Sequence, residues 1–152
     1  MTNLSQKDID LLAKLMPKQL ELFEKYLTEI TAQTEYIEFD DDEGLTASVE
    51  QQGRIVDEID KLHKKTAPLI LAYKEAEKSG GEDDKCPIAI ALARIKAILK
   101  EASETNEQNI KAATGKKAEY SELISKLSKD KKGISGYTQK ITETSDLFDK
   151  KQ

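Results

Sequence analysis

From Ile88 to Leu127 the apolar positions step by alternating fours and threes. The stripe is Ile88, Leu92, Ile95, Leu99, Ala102, Asn106, Asn109, Ala113, Lys116, Tyr120, Leu123 and Leu127. That spacing keeps one face of an α-helix turned toward a partner helix. It predicts a single helix from about Pro87 to Leu127, on the order of 60 Å long at 1.5 Å per residue. Two earlier stretches carry the same rhythm. Leu12, Met16, Gln19, Phe23, Tyr26, Ile30, Gln33 and Ile37 form one seam, opened by a capping-box-like Ser5 with Asp8 three residues on. Val49, Gln52, Val56, Ile59, His63 and Thr66 form another, broadened by Ile55 and Leu62 and continued by Leu69, Ile70 and Tyr73. Pro17 predicts a kink or a short leading helix, and Pro68 predicts a bend.

The punctuation between these seams completes the expected architecture. An acidic turn, Asp40 to Gly44, follows the first helix, and a polar loop, Lys78 to Lys85, follows the second. Pro87 suits the first position of the third helix. Short connections make neighbouring helices antiparallel. The reading is an all-α, elongated antiparallel three-helix bundle or coiled coil with a long C-terminal helix. After Leu127 the pattern fails at Gly133 and Gly136, giving a bundle domain over 1–127 and a flexible tail over 128–152. Within that tail Ile134, Tyr137 and Ile141 share one helical face; a short partner-bound helix and a frayed terminus are both compatible with this.

Composition narrows the function. The chain is 35% charged and 38% hydrophobic, has no tryptophan, and shows no alternating apolar pattern, which favours exposed helices over sheets. Its net charge of −5 divides unevenly: residues 1–110 hold 14 basic and 23 acidic side chains, residues 111–152 hold 10 and 6. An acidic body repels duplex DNA, and two arginines, Arg54 and Arg94, provide little bidentate phosphate recognition. Nucleic acid is not an expected partner. No secretory leader and no apolar run of membrane-spanning length is evident, and the one cysteine, Cys86, fits a reducing compartment. A cytoplasmic protein is expected.

No catalytic constellation, metal site or cofactor site is expected either. One histidine, His63, removes the paired Glu-x-x-His motifs of a di-iron bundle. Cys86 has no histidine near it in sequence to act as base, and reads as a small buried or half-buried cysteine. A calcium loop started at Asp40 would need glycine at its sixth position and glutamate at its twelfth; Leu45 and Gln51 stand there. Thr114-Gly115-Lys116 lacks the upstream glycine and strand of a phosphate loop. Binding, not catalysis, is the expected activity.

Asn106 and Asn109 occupy seam positions in the third helix, either as buried register-setting amides or because the helix runs exposed there. Beyond Ala102 the stripe of Ile110, Ala113, Tyr120, Ile124 and Leu127 is weaker, and is expected to extend past the chain's own bundle. Four or five such side chains buried on a partner contribute about 1.5–3 kcal/mol each before association costs, enough for a micromolar handoff.

Three stretches carry a family likeness: Val49 to Leu62, Asn106-Glu-Gln-Asn109-Ile110, and the ending Gly136-Tyr137-Thr138 followed by Ser145-Asp146-Leu147-Phe148-Asp149-Lys150-Lys151. In order and spacing they resemble the FlgN-like chaperones that escort flagellar hook-associated proteins to the type III export apparatus. Where that family often ends its second helix on a basic pair, this chain has His63-Lys64-Lys65, closely followed by Pro68. The resemblance implies that Ile110, Tyr120, Ile124, Leu127, Ile134 and Ile141 contact the client's amphipathic terminal helix. It further implies that Tyr137 docks on the export-gate membrane protein. A weak homo-oligomer is compatible with this reading. Two rivals share the same sequence features: a coiled-coil adaptor or dimerisation protein, and a chaperone for a different secreted substrate.

Overall fold

The computed structural model describes residues 5–79, 86–116 and 120–130, the side chains of 76–79 excepted. Three long helices follow in order: α1 (Gln6–Glu38), α2 (Asp42–Ser79) and α3 (Pro87–Lys116). Tyr120 then lies in a 3-10 turn, and residues 121–130 form a fourth helical segment, α4. The molecule is an all-α helical bundle. Among the described residues the longest helix is α2, not the third. No described helix is long and apolar enough to cross a membrane.

Helix α1 begins where Ser5 caps it, the hydroxyl accepting from the Asp8 amide at 3.1 Å. Its buried residues are Leu12, Met16, Gln19, Phe23, Tyr26, Ile30, Gln33 and Ile37, the whole of the expected seam. Neither proline divides its helix. Pro17 and Pro68 both sit on solvent-facing positions, so the carbonyl that loses its amide partner is on the wet side.

The acidic turn is a two-part cap. Asp40 adopts the left-handed conformation (φ 54°), the Asp41 amide donates to Tyr36 O at 2.8 Å, and the Asp40 amide donates to Ile37 O at 3.3 Å. These two bonds form a Schellman closure with aspartate in place of the usual glycine. Asp41 then caps α2, its Oδ1 accepting from the Gly44 amide at 2.9 Å. A side chain at 44 has no room: a Cβ there would lie 2.8 Å from the Tyr36 ring.

Helix α1 is the shared neighbour, packing along both α2 and α3, while no described α-carbon of α2 lies within 8 Å of one in α3. It runs antiparallel to α2, as Tyr36 beside Gly44 and Gln33 beside Ser48 require. It runs parallel to α3, since Thr34 meets Asn109 and Ile37 meets Lys116. Leu12, Phe23, Ile30, Ile59, Ile95 and Leu99 anchor the larger core. A smaller core at the turn end holds Ile37, Leu45, Val49, Ala113, Tyr120 and Leu127.

The continuous third helix expected through Leu127 is not formed. Lys116, the last residue of α3, donates from Nζ to Ile37 O at 2.7 Å and to Glu38 O at 2.9 Å, placing a cation on the C-terminal carbonyls of α1. The chain then reverses, and α4 runs beside α2: Tyr120 pairs with Asp42 and Asp130 with Gln52. Helix α4 also carries past the 127/128 boundary; residues 131–152, most of the expected tail, lie outside the described residues.

Candidate functional site

The turn end of the bundle gathers every described residue expected to bind a client. Ile110 and Ala113 come from α3, Tyr120 from the 3-10 turn, and Ile124 and Leu127 from α4. They meet the end of α1 at Ile37 and the start of α2 at Leu45 and Val49. The expectation of surplus apolar edge is corrected here: Ala113, Tyr120 and Leu127 are 1%, 2% and 0% exposed. Reversal of the chain after α3 folds that edge onto its own subunit. Ile110 and Ile124 are half-buried at its margin. Ile134, Tyr137 and Ile141 lie outside the described residues.

The seat is mixed in character. Its apolar anchors are Tyr120 and Leu127, while its sides are polar. Gln33 Nε2 donates to Gln52 Oε1 at 2.7 Å, and Gln52 Nε2 donates in turn to Asp130 Oδ2 at 3.1 Å. Gln33 also donates to the Ser48 hydroxyl at 3.3 Å, and that hydroxyl donates to Glu29 Oε1 at 2.9 Å. Burial raises the Asp130 carboxyl above its ordinary range; the Gln52 bond works against this, Asp57 adds to it, and Lys129 opposes it. Tyr26 is likewise held above an ordinary phenol, by burial first and by the Asp130 charge second.

The two seam asparagines of α3 are both buried, which decides between the two readings of their position. They differ in satisfaction. Asn109 accepts from Thr34 Oγ1 at 2.8 Å and donates to Ile30 O at 2.9 Å. Both amide atoms of Asn106 are buried without a hydrogen-bond partner.

Several contributors were not visible as site residues. Lys116 looked like a stripe position and instead caps α1. Leu45 fell between the acidic turn and the first position of the second seam, and is fully buried in the core that Tyr120 and Leu127 complete. Phe39, the C-cap residue of α1 two positions after Ile37, is 74% exposed. Its signal was available: a large aromatic directly before an acidic turn. Among the described residues, no group of three or more His, Cys, Asp or Glu side chains converges as metal ligands would.

No protein-family model, curated protein or solved structure matches this chain.

Proposed function

We propose that this chain is a cytoplasmic export chaperone for flagellar hook-associated proteins, which holds an amphipathic terminal helix of its client and delivers it to the export gate. The reading draws on the family resemblance of the Val49–Leu62 stretch, the Asn106–Ile110 stretch and the C-terminal ending. The observation that carries it is the seat of α4. The ten described residues of α4, with Tyr120 just before them, rest there on two deeply buried apolar side chains, Tyr120 and Leu127, and on polar bonds to Asp42 and Gln52. Its fully buried anchors are two, each contributing about 1.5–3 kcal/mol. Such a helix is exchangeable.

In this mechanism the client helix displaces α4 and takes its place on Ile37, Leu45 and Val49, with Ile110 and Phe39 at the rim. Helix-in-groove recognition of this kind needs no nucleotide or metal chemistry. Tyr120, Ile124 and Leu127, once released, join Ile134 and Ile141 as free apolar contacts, and Tyr137 is the gate-docking residue.

A titration of the full chain with a synthetic terminal helix of a hook-associated protein tests this. Equilibrium ultracentrifugation should give a 1:1 complex, and Tyr120→Phe, which removes the bond to Asp42 that holds this segment and keeps the apolar ring, should tighten binding. A dimer indifferent to concentration and to client would instead establish the adaptor reading. Weaker binding by Tyr120→Phe would overturn displacement.

A further inference from the structure

A buried cation near the end of α2 has no counter-charge. Lys74 is 3% exposed, and among the described residues it has no hydrogen-bond or ion-pair partner. The charge that reaches it is a like one, from the half-buried Lys96 of α3. Taking an unpaired ammonium out of water disfavours its charged form, and a second ammonium close by disfavours it further. At about pH 7.5 an amine held down to about 8 is neutral on the order of 100-fold more often than an ordinary lysine. A neutral amine is a nucleophile.

The surroundings select the electrophile. So enclosed a side chain is shielded from bulky acyl donors, whereas carbon dioxide is triatomic and uncharged. Its product also suits the site. Addition to the amine leaves a negative charge on Lys74, beside the cation of Lys96, so that repulsion becomes attraction. No described α-carbon of α2 lies within 8 Å of one in α3. The resulting ion pair would therefore link two helices whose backbones stay apart.

We infer that Lys74 is a site of reversible carbamate formation by carbon dioxide, with the Lys96 ammonium as counter-charge. The Nζ lone pair attacks the carbon, an N–C bond forms as one C–O π bond opens, and a proton leaves the nitrogen for water. The product is N–COO⁻, and nothing is oxidised or reduced. Reprotonation of the nitrogen and loss of carbon dioxide reverse the step. This inference stands without the chaperone reading, since its test contains no client.

The test equilibrates the full chain with bicarbonate at the same pH, traps carbamates as ethyl esters with triethyloxonium, and locates them by peptide mass spectrometry. Lys25 and Lys64 are the references: their side chains are 58% and 75% exposed, and each pairs with a carboxylate. Lys74 should carry the trapped group at least about 10-fold more often than either. In Lys96→Met, at unchanged helical content, trapping at Lys74 should fall at least about 3-fold. Equal trapping at Lys74 and the two references in the natural sequence would overturn the site. Undiminished trapping in Lys96→Met would overturn the counter-charge.

Discussion

Tyr120 donates its phenolic hydrogen bond to Asp42 Oδ1, joining the residue that starts the returning segment to the first residue of α2. The acceptor also lies in the first turn of α2, where negative charge is favoured by the helix dipole, so one carboxylate serves two elements. Tyr120→Phe keeps the buried ring and removes this bond. It should lower stability by about 1–2 kcal/mol and speed amide exchange over 121–130 more than over α1. Urea denaturation and exchange on the same sample check both statements.

Asn106 and Asn109 sit one turn apart on the same face yet should respond oppositely to the same change. Asn106→Leu replaces an amide whose two polar atoms are buried without partners, and should stabilise by about 1–2 kcal/mol. Asn109→Leu strands Thr34 Oγ1 and Ile30 O, and should destabilise by about 1–3 kcal/mol. Chemical denaturation midpoints at unchanged slope distinguish the two.

Lys74 is buried, and burial, with the like charge of Lys96 second, lowers its ammonium to about 8 from the ordinary 10.5. Between those two values the unfolded chain binds more protons than the folded one, so stability rises with pH across that window. Thermal melts from pH 7 to pH 10 should show a rising midpoint. In Lys74→Met the midpoint at pH 7 should be higher and this rise should be flattened.

Two glycines of α2 make a matched pair. Gly44→Ala forces a methyl to within 2.5 Å of Asp41 Oδ2 and 2.8 Å of the Tyr36 ring, and should cost about 1–3 kcal/mol. Gly53→Ala meets nothing within 4 Å in mid-helix, and should add about 0.4–1 kcal/mol. Melting temperatures of the two variants should move in opposite directions.

The seam of α1 was readable residue by residue, glutamines included, because Gln19 and Gln33 keep the phase of the leucines and aromatics around them. The reversal after Lys116 was not. Ala113, Tyr120, Leu123 and Leu127 stay in heptad step across it, so the spacing is the same for one long helix and for two that fold back. A heptad reports that a face is covered and is silent about what covers it. That is why the residues of the candidate site were found as a group, while their exposure was misjudged. The lysine that caps α1 was similarly hidden, since nothing in the local sequence of Lys116 names carbonyls nearly eighty positions away.

The order in which the ribosome releases these parts gives the turn-end core a history. The α1–α2 hairpin closes through near neighbours in sequence, and such contacts form early. Until Tyr120 and Leu127 have been synthesised and cleared the exit tunnel, Ile37, Leu45 and Val49 await their cover. Each newly made molecule therefore passes through an interval with its cradle empty, and whichever short greasy rod arrives first will be the one that fills it.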